Sequence, residues 1–190
     1  VTRLFRGKEM LLRRSRGYAP FPVRMGAELP SVLAVGGELK NTFCLTRENY
    51  AFLSQHIGDL ENAETLSSFE QGIEHFHRLF RVTPGAMAHD LHPEYLSTKW
   101  AKEQVTGGSV HNLAGLPLIP VQHHHAHLAA CLAENGVQGA AIGVSWDGTG
   151  YGTDGAIWGG EFLVGDFAGF QRLAHFKYVP LPGGEAAIRR

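Results

Sequence analysis

The sequence predicts an α/β protein in which mixed sheets are flanked by helices. Three observations carry that prediction: two sets of short apolar runs broken by glycine and polar turns, amphipathic helical repeats between them, and a proline-rich stretch that sets a basic opening apart. With 190 residues and 44% hydrophobic content, the chain is long enough to bury one core or two small ones. Seventeen Lys plus Arg against eighteen Asp plus Glu leave a net charge of −1, so no global field draws it to nucleic acid or to an anionic membrane. No apolar run approaches the roughly 20 residues of a membrane span. The basic start, VTRLFRGKEMLLRRSRG, also lacks the apolar core of a signal peptide, and a cytoplasmic protein is expected. Cys44 and Cys131 form no CxxC pair, which excludes a cysteine zinc site; both are expected as buried thiols.

The elements follow in order. Residues 1–24 hold seven Lys or Arg and one acidic residue, and PFPVRMGAELP then brings three prolines. That reads as the tail of one unit (1–24) and a linker (25–30), within a chain expected to be a piece of something longer. SVLAVGGELK, NTFCLTRE and YAFLSQHIGDL are three apolar stretches broken by tight polar turns, the pattern of a β-meander. In NAETLSSFEQGIEHFHRLFR, Leu66, Phe69, Ile73, Phe76 and Phe80 recur at helical spacing, with Asn62 or Thr65 as cap. GAMAHDL reads as a strand, PEYLSTKWAKEQV as a helix opened by Pro93, LPLIPVQ as a strand, and HHHAHLAACLAENG as a helix ended by Asn135 and Gly136. AAIGVSWDGTG, GAIWGGEFLVGDF and FQRLAHFKYVP then begin a second meander. A meander followed by alternating helices and strands, started twice, is how an actin-like or Hsp70-like (ASKHA) fold begins. The prediction is therefore its first lobe and the start of its second.

The stretch VQHHHAHLAACLAENG places four histidines in five positions where a strand gives way to a helix. Residues four apart share one helix face, so His123 and His127 can present two imidazoles to one ion. No Glu follows the first histidine, which excludes the metalloprotease pattern. His124 aligns with Leu128, Cys131 and Leu132, the apolar stripe, and reads as a core or supporting histidine. A His-rich solvated helix start is the alternative for the cluster. A third ligand must come from elsewhere, and an oxygen donor would point to iron, zinc or manganese. Asp147, in WDGTGYGTDG, ends an apolar strand and precedes Gly148, Thr149 and Gly150, as a metal or phosphate loop would; a glycine-rich hairpin with a turn aspartate is the plainer reading.

VLAVGGELKNTFCL, AFLSQHIGDLEN, HDLHPEYLSTKWA, VQHHHAHLAACLAENG and WDGTGYGTDGAIWGGEFL together resemble the carbamoyltransferase HypF family of nickel-iron hydrogenase maturation proteins. Residues ending in LLRRSRGYAP resemble the close of the YrdC-like domain that precedes this region in the family, and 31–190 the N-terminal part of its carbamoyltransferase domain. The resemblance implies ATP-dependent carbamoyl transfer from carbamoyl phosphate, through carbamoyl-adenylate, to the C-terminal cysteine of the partner HypE. It implies a divalent metal, iron or zinc, held by His123 and His127 with Asp147 in the metal and nucleotide region, and a further aspartate ligand beyond Arg190. Gly148, Thr149 and Gly150 would then meet phosphate, and Lys40, in the first glycine turn, could meet an anion or simply be an exposed turn lysine. His89 and Asp90 end a strand before a helix, where clefts form; a capping aspartate and a turn histidine explain them equally well. Two rivals stand beside transfer to HypE: a metal-holding docking scaffold without catalysis of its own, and tRNA threonylcarbamoyl transfer. The near-neutral charge disfavours the latter.

Overall fold

The computed structural model describes residues 1–15, 17–108, 112–180 and 182–183. The chain opens with a hairpin of β1 (Thr2–Phe5) and β2 (Lys8–Leu11), which among the described residues form a two-stranded sheet of their own. Next come β3 (Val23–Arg24), β4 (Val32–Ala34), β5 (Cys44–Arg47) and β6 (Tyr50–Leu53), then α1 (Ala63–Phe80), β7 (Ala86–Asp90), α2 (Leu96–Gly107), β8 (Leu118–Val121) and α3 (His123–Glu134). The remaining strands are β9 (Ala141–Ser145), β10 (Gly150–Tyr151), β11 (Ile157–Trp158), β12 (Glu161–Gly165) and β13 (Phe170–His175).

The first meander is antiparallel and extends into a six-stranded mixed sheet of order β3-β6-β5-β4-β7-β8, with β4, β7 and β8 parallel. Parallel neighbours need crossovers, and α1 and α2 supply them. The second meander is a three-stranded antiparallel sheet, β13-β12-β9, and the short β10-β11 pair lies between its first two strands in sequence. Val23 and Arg24 join the large sheet through β6, and the Met25 and Leu29 amides donate to the turn between β5 and β6. No helix among the described residues is long and apolar enough to cross a membrane.

The helical periodicity of α1 is realised as predicted. Phe69, Ile73 and Phe76 are buried, with Leu66 and Phe80 packed at the margin. Phe43 meets Phe69 and Phe76 edge-on at 5.9 and 4.8 Å, and Phe69 meets Trp100 of α2 at 5.0 Å. Such contacts add about 0.5–1.5 kcal/mol each to the burial of the rings. Asn62 is the N-cap of α1, its Oδ1 accepting from the Thr65 amide at 2.9 Å. A second, smaller core of Leu128, Leu132, Trp158 and Leu163 joins α3 to the three-stranded sheet.

Two expectations need correction. Pro93 does not open α2, which begins at Leu96. The Asp90 carboxylate accepts the His92 amide at 2.8 Å, a turn that takes up the intervening residues, and the Glu38 carboxylate then accepts the Leu96 amide at the helix start. Cys131 is exposed, because the buried stripe of α3 runs through His124, Leu128 and Leu132 and leaves position 131 on the outer side. Cys44 is half-buried rather than fully buried, and desolvation still pushes its thiol up to about 12.

Candidate metal centre

Three strand ends build the site. Asp90 is the last residue of β7, Gln122 and His123 follow β8 directly, and Asp147 follows β9. Open α/β sheets gather ligand-binding groups at such carboxyl ends. The Gln122 side chain caps α3 by accepting the His125 amide at 2.9 Å, which starts the helix where four histidines can be presented by one turn.

The helix delivers His123 and His127 to one side, their Nε2 atoms 3.2 Å apart. Asp147 Oδ2 lies 2.8 Å from His123 Nε2 and 3.0 Å from His127 Nε2. Three donors, each about 2.1 Å from a common ion, stand roughly 3.0–3.4 Å apart, so this trio has the dimensions of one face of a coordination polyhedron. Among the described residues these three side chains are the group whose donor atoms could hold a metal. His123 and Asp147 are partly buried and His127 is more exposed, at 57% of its side chain, which leaves an open side.

Behind the trio, Asp90 is 8% exposed and accepts from His123 Nδ1–H at 2.6 Å. A carboxylate on the far nitrogen fixes the ring and leaves Nε2 as the ligand atom, the arrangement that supports metal-bound histidines. Without an ion, the hydrogen bonds to Asp147 and Asp90 raise His123 to about 9, and the two imidazoles hold Asp147 far below the usual carboxylate range. The proton on His123 thus occupies the position where a cation fits. His124 is fully buried, and burial lowers its basicity.

The glycines divide by role. Gly148 is exposed, with open space where a side chain would begin. Gly150 is buried, and a Cβ there would lie 2.3 Å from His124 Cε1 and 3.2 Å from His123 Cβ, so only glycine lets the loop close on α3. Thr149 lies between them, half-buried. Lys40 sits apart, in an exposed turn with left-handed φ of 50°, its amide donating to Asp59 at 2.6 Å. His89 is buried beside Asp90 and donates from Nδ1 to the Asp90 carbonyl at 2.7 Å. It lines a cavity of about 320 Å3 that opens beside His123 and His127 and is walled by Gly36, Gly37 and Ala88.

Asp90 and His92 were only weakly marked in the sequence, as strand-end residues before a helix, whereas Gln122, Glu38, Tyr95 and Tyr151 carried no such mark. His92 stacks on Tyr95 at 4.1 Å and meets Tyr151 edge-on at 5.3 Å, joining the two parts of the chain across the site. Burial and the nearby carboxylates, Asp90 first, push Tyr95 up to about 12. The one signal available for Gln122 was its place immediately before the histidine helix.

The sequence matches the family model described as the HypF Kae1-like domain over residues 27–134, and that of the carbamoyltransferase Kae1-like domain, second subdomain, over residues 143–190. It is 47% identical over 94% of its length to carbamoyltransferase HypF2 of Cupriavidus necator, and 42% identical over its full length to carbamoyltransferase HypF of Synechocystis. The chain spans 21% and 24% of those relatives, about a quarter of their length. The crystal structure of full-length HypF in the phosphate- and nucleotide-bound form superposes with a TM-score of 0.87 at 52% identity, covering 96% of this chain and 23% of that one. The crystal structure of T. kodakarensis HypF gives a TM-score of 0.86 at 40% identity, covering 98% of this chain and 23% of that one. The chain belongs to the carbamoyltransferase HypF family, and the region of that family it represents is the Kae1-like, ASKHA-type domain.

Proposed function

We propose that this chain works within a longer enzyme that transfers a carbamoyl group from carbamoyl phosphate, with ATP and through carbamoyl-adenylate, to the C-terminal cysteine of HypE. The transferred group would become a cyanide ligand of nickel-iron hydrogenase. In this reading residues 1–24 close a YrdC-like unit, 25–30 link it onward, and 31–190 begin the carbamoyltransferase domain, in the cytoplasm. One observation carries the proposal: His123, His127 and Asp147 form a cluster of metal-site dimensions, in a chain 52% identical to a protein crystallised with phosphate and nucleotide.

Imidazole and carboxylate donors suit iron or zinc, and either ion, when bound, supplies Lewis-acid polarisation of the carbamoyl carbonyl. The residues of the chain do the positioning. Asp90 holds the His123 ring with Nε2 turned to the ion site. The backbone at Gly148 and Thr149 offers amides to the phosphate of the adenylate, and Gly150 keeps that loop against α3. Lys40 is the more distant candidate for an anion. In the transfer, the cysteine thiolate bonds to the carbamoyl carbon while the bond from that carbon to the AMP phosphate oxygen breaks. AMP leaves with the electron pair, and hydrogen-bond donors around its phosphate stabilise the departing charge.

The test uses the full-length enzyme with carbamoyl phosphate, ATP and HypE, following AMP release and thiocarbamate on the HypE cysteine by mass spectrometry. His127→Gln should lower transfer by about 100-fold, the scale of losing one electrostatic stabiliser at the reacting group. Unchanged transfer would remove the cluster from the mechanism. AMP release with an unmodified cysteine would show that the acceptor lies elsewhere.

A further inference from the structure

Asp147 belongs to a loop, and its side chain is 40% exposed. Loops position ligands poorly unless the main chain is held, so the question is what holds this one. His124, fully buried beneath the two candidate ligands, places Nε2 3.2 Å from the Asp147 carbonyl oxygen and Nδ1 3.2 Å from Gln122 Nε2.

The protonation pattern follows from the neighbours. Gln122 is 5% exposed, and its Oε1 accepts a backbone N–H from His125 while its Nε2 faces the Tyr151 carbonyl at 3.3 Å. A backbone donor on one side and a backbone acceptor on the other fix the orientation of that amide. Its N–H therefore points at His124 Nδ1, which must carry the lone pair. The proton then sits on Nε2, where the Asp147 carbonyl requires a donor. Both ends of the ring demand the same tautomer.

We propose that His124 is a positioning residue, the centre of a Gln122–His124–Asp147 hydrogen-bond relay that ties the main chain of one metal ligand to the helix bearing the other two. The proposal rests on the metal reading given above. Gln122 caps α3 and reaches Tyr151 as well, so one side chain sets the helix start, the His124 tautomer and the strand after the Asp147 loop. Gly150 and Trp158 complete the seat: the glycine admits the ring edge, and the Trp158 ring stacks 6.1 Å from its centroid.

The experiment titrates the full-length enzyme with Co2+ and reads the visible d–d absorption, which reports ligand geometry independently of turnover. His124→Leu fills the space without a donor, whereas His124→Gln restores an N–H near the Nε2 position. The expected result is that the leucine variant binds cobalt about 10–100-fold more weakly with an altered band, the usual effect of losing a supporting hydrogen bond. The glutamine variant should recover most of that affinity and the wild-type band. Wild-type binding by the leucine variant would overturn the relay while leaving the metal reading intact; no cobalt binding that depends on His123 and His127 in the unmodified full-length enzyme would overturn the metal reading and the relay with it. Should the leucine variant fail to fold, 15N NMR of the unmodified chain decides: a proton on His124 Nε2 is expected, and a proton on Nδ1 would refute the relay.

Discussion

At the scale of single residues, the candidate site is a contest between a proton and a cation for the space between His123 and Asp147. In the metal-free chain His123 stands at about 9, above its ordinary 6.5, so the folded state holds that proton more tightly than the unfolded one. Its contribution to stability is complete below pH 6.5 and is lost as the pH rises through about 9. Asp147, depressed by the same contacts, contributes above its ordinary 3.8 and loses that contribution only on strong acidification. Urea unfolding of the metal-free chain should therefore show a midpoint that falls between pH 6.5 and 9, and His123→Gln should abolish that component of the slope. Metal binding carries the opposite sign: affinity rises over the same interval as the proton is displaced. An identical pH profile in the His123→Gln chain would show that the histidine is not the titrating group. His123 and His127 were legible in the sequence because a four-residue spacing on a helix needs no tertiary information. Asp90 was barely legible, since it stands 33 residues before His123 and touches it only after β7 and β8 pair in parallel.

Among the elements, α3 illustrates how helix starts and loops cooperate. Its strand-to-helix junction was readable from LPLIPVQ running into the histidines, and its end from Asn135 and Gly136, the latter with φ of 63°. The start of α2 was misread at Pro93 because the Glu38 carboxylate that accepts the Leu96 amide lies 58 residues away. No local signal marks a cap supplied at that distance. Gly150 shows the same limit: the sequence offers a row of glycines, and only the approach of α3 distinguishes the one that must lack a side chain. Gly150→Ala should cost about 1–3 kcal/mol of unfolding free energy through overpacking against His124, with weakened metal binding. Gly148→Ala, where a Cβ meets open space, should change stability by no more than about 0.5 kcal/mol. Equal effects of the two substitutions in denaturant titrations would mean that the loop does not close on the helix as described.

Over the whole molecule, the two meanders predicted from glycine-broken apolar runs became two sheets, and the site formed where the parallel ends of the first meet the opening loop of the second. That architecture was legible because each sheet is local in sequence. The tie between β3 and β6 and the aromatic contact of His92, Tyr95 and Tyr151 were not, since both join segments with no shared pattern. The central claim is that the fold brings His123, His127 and Asp147 together as ligands of one divalent ion, with Asp90 and His124 behind them. The most direct measurement is an anomalous difference map from crystals of the chain grown with zinc and recorded at the zinc edge. The account predicts a single peak about 2.0–2.2 Å from His123 Nε2, His127 Nε2 and Asp147 Oδ2, with no zinc bond to His124. A peak bonded to His124 or His125, or full zinc occupancy elsewhere with these three side chains unliganded, would contradict it.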